Sequence, residues 1–453
     1  MPSPRTQHLL AAILAAALVG VAWSSGLETI ELDGYRATFD PGQDFLVLEG
    51  ELDCSAFGGS AAVSVTETSG HLGEADYLVY QPADWNGDLV LFGHAASAPF
   101  IPEGRFWFPL PLGFEPQTAG MPFVQARDAA LCHGFAWAAS AFGGNGMAVA
   151  EGMRDTHLLG ALAPRHLEAA PERTFVTGYS APGGLSALAL AESHPHRYAG
   201  AIVVDALLGG MRMGIDQVMH VAALFDVLFP DLVEFERERG MTPPEFGAFI
   251  AALEASILAD PSPLQRMAAI HMPGSERYDP AGIGRPVLWA DPTAPDAEAA
   301  LMSVGDLLAM LMWDYLVLNG DVRARGAGAF AGDNRHVVYR GEGWSPEDEA
   351  DLNARVPRFD ADSLAVRYWT FHYEPSGALQ VPLVSIRNPG GQIPESVWAY
   401  ADRVDRSGAS ELYSDWPIAT REQAIMRQNM ATALLGLVDW LETGVPPTWP
   451  MVP

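Results

Sequence analysis

Ser180 stands in a stretch of sequence whose residue types and spacing suit nucleophilic chemistry. The run 174–177 is β-branched and aromatic, Gly178 permits a sharp reversal, and the run 185–191 is rich in alanine and leucine. This order predicts a strand, a tight turn and a helix, with Ser180 on the turn. A serine placed there presents its hydroxyl at a sheet edge and at a helix N-terminus, whose amides stabilise a developing negative charge.

The segment 178–180, Gly-Tyr-Ser, matches the first half of the G-x-S-x-G motif that carries a nucleophilic serine, and the second half departs from it. Pro182 stands where the motif has glycine, and two glycines follow it. A proline is tolerated in a first helical turn because its missing N–H would be unpaired there. The amide of Ala181, which the motif directs at an oxyanion, is still present. The alternative interpretation is an ordinary β–α turn that contains a serine.

The first 25 residues predict a cleaved export signal. Arg5 precedes an apolar run, 9–22, which is too short and too weakly flanked for a membrane span. We therefore expect a secreted or periplasmic protein. Export makes Cys54 and Cys132, the only 2 cysteines, candidates for a disulfide. Two buried thiols are the alternative, because sequence does not place their Cα atoms.

Charge limits the classes of partner. The net charge is −30, from 56 acidic and 26 basic residues, and every basic residue is arginine. Such a surface repels phosphate backbones and anionic lipid, so we expect no nucleic-acid partner, no stable membrane insertion after signal cleavage, and a neutral or cationic small-molecule ligand rather than an anionic one. The histidines are scattered without ligand spacing, which predicts no metal site, and no cofactor is expected.

Strands alternate with helices up to residue 206, which predicts an α/β fold with a mostly parallel sheet covered on both faces. The strands 76–81 and 88–92 are expected to form a hairpin through the pair Asn86-Gly87. Residues 211–330 then contain helical patterns without a convincing strand, which indicates a helical cap inserted over the sheet edge. The predicted organisation is a signal peptide (1–25), the first part of the core (26–206), a mostly helical cap (207–375) and the rest of the core (376–453).

Several motifs occur in an order that resembles the exported serine esterases of the α/β-hydrolase superfamily, in which a helical cap follows the sixth strand. They are the segments 80–87, 89–94, 134–140 and 145–146, the turn at Ser180, and then 333–334, 338–339, 375–377 and 381–382. The resemblance implies an α/β-hydrolase fold and hydrolysis of carboxylic esters by Ser180. It also implies that the amide of Ala181, with that of Ala95 or Ala96, holds the oxyanion.

The chain departs from this family at both partners of the serine. The loop 387–394 has Gly390 where the family has an aspartate, and the loop 414–420 has Trp416 or a neighbour in place of the histidine. No histidine follows His372. Since a serine hydroxyl is a weak nucleophile without a base, another group must take its proton. The candidate bases are His336, His94 and, less favourably, His372, and the candidate acids are Asp205 and Asp415.

Two hypotheses remain open. In the first, the chain is an ester hydrolase in which Ser180 attacks, His336 transfers the proton and Asp205 is the acid. In the second, it is a catalytically inactive hydrolase-fold protein that binds a ligand or has a structural role, and Ser180 is a remnant. Each substitute partner is more often a structural polar group than a catalytic one.

Overall fold

The computed structural model describes residues 28–39, 45–57, 62–97, 103–104, 122–230, 232, 240–275, 287–288, 297–326, 331–387, 394–417 and 423–447. The predicted signal peptide lies outside the described residues. Within them, no helix is both long enough and apolar enough to cross a membrane.

Eleven strands form the described β-structure. They are β1 (Glu28–Leu32), β2 (Tyr35–Phe39), β3 (Phe45–Asp53), β4 (Ala62–Leu72), β5 (Ala75–Pro82), β6 (Asp88–Gly93), β7 (Ala136–Ser140), β8 (Arg173–Tyr179), β9 (Gly200–Val204), β10 (Leu383–Arg387) and β11 (Tyr413–Pro417). β1 and β2 pair as a separate antiparallel ribbon. The other nine form one sheet in the order β11-β10-β9-β8-β6-β7-β5-β4-β3.

The six strands from β7 through β6, β8, β9 and β10 to β11 are parallel, and antiparallel pairing is confined to β3, β4 and β5 and the contact of β5 with β7. The sheet is therefore mostly parallel, as the sequence predicts. The hairpin predicted between β5 and β6 is wrong, because β7 lies between these strands and pairs with both. The loop that contains Asn86-Gly87 therefore connects two strands that are not neighbours in the sheet. Its local sequence specifies a turn but not the strand with which β5 pairs.

Twelve helices are described. They are α1 (Pro122–Cys132), α2 (Val149–Leu162), α3 (Leu185–Ser193), α4 (Met211–Leu228), α5 (Pro243–Ala259), α6 (Ser262–Ala269), α7 (Ala297–Leu316), α8 (Asn319–Arg325), α9 (Pro346–Arg355), α10 (Ser363–Tyr373), α11 (Pro394–Ser407) and α12 (Gln423–Thr443). Helices α4 to α10 follow one another between β9 and β10 without an intervening named strand in the described residues. This is the region in which the sequence predicts a helical cap.

Helices cover both faces of the sheet. One apolar cluster joins β8 and β9 to α1 and α12 through residues such as Phe175, Ile202 and Leu434. The other joins the opposite face to α2, α3 and the helices that follow β9. Burial of these β-branched and aliphatic side chains on both faces explains why β8 and β9 are near-continuous apolar runs.

Cys54 and Cys132 form a disulfide, with Cα atoms 5.4 Å apart and a sequence separation of 78. It connects the segment after β3 to the last residue of α1. The alternative of two buried thiols is therefore wrong. The last strand of the sheet is Tyr413–Pro417. Trp416 lies inside this strand and is 1% exposed, since its indole fills the core beneath α12.

Candidate active site

Ser180 occupies a strained turn directly after β8. Its φ is +61°, a left-handed conformation that is uncommon for a residue with a side chain. Tyr179 is extended, and the helical segment begins at Ser180 itself. The residue is partly exposed, so the side chain is not buried within the core. The predicted strand, turn and helix are thus present, and the chain reverses at the serine.

The glycine missing from the motif is replaced by the next one. Residues 180–184 form a single π-helical turn before α3, which adds a residue to the first turn. A Cβ atom on Gly178 would lie 2.1 Å from the carbonyl oxygen of Gly183, and one on Gly183 would lie 2.2 Å from that of Gly93. Gly183 therefore provides the close backbone approach that the motif obtains from a glycine at position 182.

The register of the sheet brings three predicted residues to one edge. Gly93 pairs with Gly178, and Tyr179 pairs with Val204. His94, Ser180 and Asp205 therefore follow three neighbouring parallel strands, which lie about 4.8 Å apart. Asp205 is also left-handed, with a φ of +47°, and its amide donates to the carbonyl of Ile386 over 2.9 Å. It is 6% exposed.

The two predicted oxyanion amides lie on adjacent loops at this edge. Ala181 is in the first helical turn after β8, where backbone N–H groups have no intrahelical acceptor. Within the described part of the chain, no hydrogen bond from the Ala95 amide is present. The carbonyl oxygens of Gly93 and His94 approach Gly183, which holds the loop carrying Ala95 against the turn. The role of these two amides as oxyanion donors stays a prediction.

His94 is partly buried beside this edge of the sheet. Its Nδ1 contacts the carbonyl oxygen of Ala95 at 2.6 Å, and its ring stacks on Phe142 with centroids 3.9 Å apart. Phe142 follows β7, on the side of β6 opposite to β8, and His94 Nε2 has no hydrogen-bond partner among the described residues. Burial lowers the pKa of His94, which is therefore neutral near pH 7.

The other predicted partners lie elsewhere. His336 is exposed in the loop before α9, and no contact among the described residues joins it to Ser180. Asp415 lies in β11, where it accepts from Arg387 Nε at 2.9 Å and from Ser385 Oγ at 2.6 Å. This carboxylate is therefore part of a structural ion pair. The side chain of His372 and the positions 388–393, including Gly390, lie outside the described residues.

Within the described part of the chain, the Ser180 hydroxyl makes no hydrogen bond to a histidine. The structure therefore brings Ser180 together with Asp205 and the oxyanion loops but does not bring His336 to them. The segment 418–422 after β11 reads Ile-Ala-Thr-Arg-Glu and contains no histidine, and it lies outside the described residues. His336 as the base stays a prediction.

A charged network that the sequence analysis did not find fastens the loops of this edge to α8. Arg325 donates to Glu151 Oε1 at 2.9 Å, to Asp321 Oδ1 at 2.9 Å and to the carbonyl of Asn145 at 2.8 Å. Asp321 in turn accepts from the amide of Met147 at 2.8 Å. The i,i+4 spacing of 321 and 325 was the available signal, whereas the link to Glu151 spans 174 positions.

A second link joins the loops after β6 and β7. Ser97 Oγ donates to Asn145 Oδ1 at 3.0 Å, and Gly146 donates its amide to the carbonyl of Ser97 at 2.9 Å. The loop that carries Ala95 is therefore tied to the loop that Arg325 holds. Through these contacts α8 positions the backbone beside Ser180.

Counted from β4, the fifth strand of the sheet is β8, and Ser180 follows it on a left-handed turn. This strand order and the position of the turn identify the fold. The chain has an α/β-hydrolase fold. No family model and no curated protein sequence matches the chain. The chain is similar, at low sequence identity, to solved structures of esterases.

Three of these structures illustrate the likeness. An esterase from Aspergillus oryzae is 12% identical, with a TM-score of 0.42 over 92% of this chain and 88% of its own. Feruloyl esterase B from Aspergillus oryzae is 13% identical, with a TM-score of 0.41 over 89% and 88%. The rice cell wall degrading esterase LipA from Xanthomonas oryzae is 12% identical, with a TM-score of 0.41 over 88% and 96%.

Proposed function

We propose that the chain hydrolyses carboxylic esters with Ser180 as the nucleophile. The observation that carries this proposal is the left-handed φ of +61° at a partly exposed serine, at the end of a central parallel strand and the start of a helix. Such strain is characteristic of sites where a side chain must be presented rather than packed. An ordinary surface loop does not require a serine in this left-handed conformation.

The reaction begins with attack of Ser180 Oγ on the ester carbonyl carbon. The proton leaves Oγ for a base, the carbonyl oxygen becomes an oxyanion near the amides of Ala181 and Ala95, and the alcohol leaves with a proton when the tetrahedral intermediate collapses. Water then releases the acid from the acyl-enzyme and restores the hydroxyl. Asp205 is the proposed acid because it follows the strand next to that of Ser180.

His336 remains the proposed base, and because no contact among the described residues joins it to Ser180, we expect slow turnover. Loss of a correctly placed triad member costs a factor on the order of 10⁴ to 10⁶ in turnover, and the oxyanion hole and binding leave residual acceleration. We therefore expect slow hydrolysis of an activated ester such as p-nitrophenyl acetate, which is lost in the Ser180→Ala variant.

Covalent labelling tests the nucleophile directly. We expect a fluorophosphonate probe to label the folded protein at Ser180 and to leave the Ser180→Ala variant unlabelled. Ser193→Ala, at the exposed end of α3, is the matched control and should be labelled like the wild type. A folded wild type that stays unlabelled, or a Ser180→Ala variant that hydrolyses p-nitrophenyl acetate at the wild-type rate, excludes Ser180 as the nucleophile.

A second candidate function, ligand binding without catalysis, is favoured by a polar cavity of 350 Å³ between Gly209, α4 and α11. Gln217 lines it and is 3% exposed, and neither its amide nitrogen nor its amide oxygen has a hydrogen-bond partner among the described residues. A buried amide in this state fits a ligand that offers both a donor and an acceptor. Under this alternative, labelling at Ser180 is absent and Gln217→Leu abolishes binding of that ligand.

We also propose that the protein acts outside the cytoplasm. The disulfide between Cys54 and Cys132 supports this location, because such bonds persist in oxidising compartments. A cleaved N-terminus near residue 25 in the mature protein, read by N-terminal sequencing, is the expected result.

A further inference from the structure

Three side chains that are far apart in the sequence meet beside the β1–β2 ribbon. Asp33 lies in the turn between β1 and β2, His157 lies in α2, and His194 follows α3. One potential ligand atom of each lies within 4.8 Å of the other two. We propose that these residues form a binding site for a divalent transition-metal ion, with Zn²⁺ as the expected occupant.

The contacts of His157 fit those of a metal ligand. Its Nε2 lies 3.0 Å from Asp33 Oδ2, and its Nδ1 lies 2.6 Å from the Tyr198 hydroxyl. A tetrahedral zinc site places neighbouring ligand atoms about 3.3 Å apart, so the pair already has nearly the required separation. Ligating histidines commonly donate their second ring nitrogen to a fixed partner, and Tyr198 is placed to be that partner.

His194 completes the group. Its ring centroid lies 4.3 Å from that of His157, and its Nδ1 contacts Ser193 Oγ at 2.7 Å. Burial lowers the pKa of His194, and burial together with the neighbouring His194 lowers the pKa of His157 to about 4. Both imidazoles are therefore neutral near pH 7, which is the form that binds a metal ion.

The neighbouring residues determine which metal ion the site would bind. His196 Nε2 lies 3.8 Å from Asp33 Oδ2 and can supply a fourth donor, while Arg197 Nε donates to the same oxygen at 3.3 Å and leaves Oδ1 available. Tyr35 packs on the rings of His157 and His194. Imidazole nitrogen with one carboxylate favours Zn²⁺, Cu²⁺ or Ni²⁺ over Ca²⁺ and Mg²⁺, which prefer oxygen ligands.

Binding would fasten the ribbon to the helical layer. Asp33 comes from the turn of the ribbon, and the two histidines come from helix α2 and the end of α3, which pack on the sheet. A metal that joins them stabilises the folded state by mass action, because the three residues are brought together only after folding. The role is structural and independent of the chemistry at Ser180.

Metal analysis of tag-free, chelator-treated protein tests the proposal. We expect equilibrium dialysis against Zn²⁺ to load 1 ion per chain, with a rise in Tm that is absent in His194→Gln. The variant should bind Zn²⁺ at least about tenfold more weakly. His271→Gln, which changes a partly exposed histidine outside this group, should bind like the wild type and controls for adventitious surface binding.

The outcomes separate clearly. Absence of stoichiometric Zn²⁺ binding by the folded wild type overturns the proposal, as does binding that His194→Gln and Asp33→Asn leave unchanged. Both variants alter side chains that are not fully buried, and we therefore expect both to fold. A Tm of each metal-free variant equal to that of the metal-free wild type checks this. If Co²⁺ replaces Zn²⁺, a visible absorption band in the wild type and its loss in His194→Gln report ligation directly.

Discussion

The turn at Ser180 depends on the absence of side chains at its glycines. Gly183 lies against the backbone of Gly93 and His94. A Cβ atom added to Gly183 would lie 2.2 Å and 2.4 Å from their carbonyl oxygens. A backbone atom cannot yield as the end of a flexible side chain can. The backbone approach at Gly183 therefore sets both the shape of the turn and the position of the loop that carries Ala95.

We expect Gly183→Ala to lower the free energy of unfolding by about 1–3 kcal/mol, because the added methyl overpacks the turn. Urea denaturation measures the loss, and fluorophosphonate labelling of Ser180 should slow in parallel. Gly247→Ala is the control, because this exposed position in α5 has open space around it. It should raise the free energy of unfolding by about 0.5–1 kcal/mol. Equal stability of the two variants would contradict the account of the turn.

At the scale of single elements, α8 is held to the core by charge rather than by apolar packing alone. The side chain of Arg325 is 14% exposed, and its partners Glu151 and Asp321 are 26% and 18% exposed. Burial raises the pKa of Asp321, and Arg325 opposes that shift. The network is partly desolvated, so removal of the guanidinium leaves two carboxylates without their cation.

Arg325→Met should therefore destabilise the protein by about 3 kcal/mol in urea denaturation. The comparison is Arg406→Met, which removes an i,i+4 pair with Asp402 on the surface of α11, where the arginine is 73% exposed. No measurable change is expected there, because exposed ion pairs contribute little. An equal loss of stability in the two variants would show that the Arg325 network, which joins α8 to the loops after β6 and β7, contributes no more than an exposed ion pair.

The elements were predictable to different extents. The strand, turn and helix around Ser180 follow from local residue types, and so does the alternation of strands and helices. The π-helical turn does not, because its extra residue is set by the approach of Gly183 to Gly93 across the sheet. The pairing of β5 and β6 was predicted wrongly for a similar reason: Asn86-Gly87 fixes a turn, whereas β7, which follows β6 in the sequence, takes the place between them.

The candidate site was predictable where it lies close in sequence and not where it spans the chain. Ser180 and Ala181 came from one motif, and Asp205 came from the end of the next strand. The meeting of Asp33, His157 and His194 has no local signal, since it depends on how the ribbon packs against α2 and α3. The sequence analysis expected no metal site because only spacing along the chain was visible to it.

On the scale of the whole molecule, the disulfide closes a long loop. It joins Cys54 to Cys132 across 78 positions, from the segment after β3 to helix α1, with β4, β5 and β6 between them in the sequence. A cross-link over such a separation restricts the unfolded chain strongly, and the chain-entropy model relates the gain to loop length.

The Cys54→Ser/Cys132→Ser double variant should lose about 2–4 kcal/mol of stability relative to the oxidised wild type. Guanidinium denaturation measures the difference. The wild type unfolded in the presence of a reductant should match the variant, which separates loss of the cross-link from the effects of the two substitutions. Identical midpoints for oxidised and reduced wild type would show that the bond contributes nothing.

The strand β3 lies at the end of the sheet order, and its register with β4 shifts between Phe45 and Leu48. Its outward face carries the exposed acidic residues Glu49, Glu51 and Asp53. Like charges on two such strands oppose dimerisation through edge-to-edge pairing at neutral pH. Hydrogen bonds from the Ser55 backbone and side chain hold the pKa of Asp53 below its usual range, so this carboxylate keeps its negative charge at a lower pH than a free aspartate does.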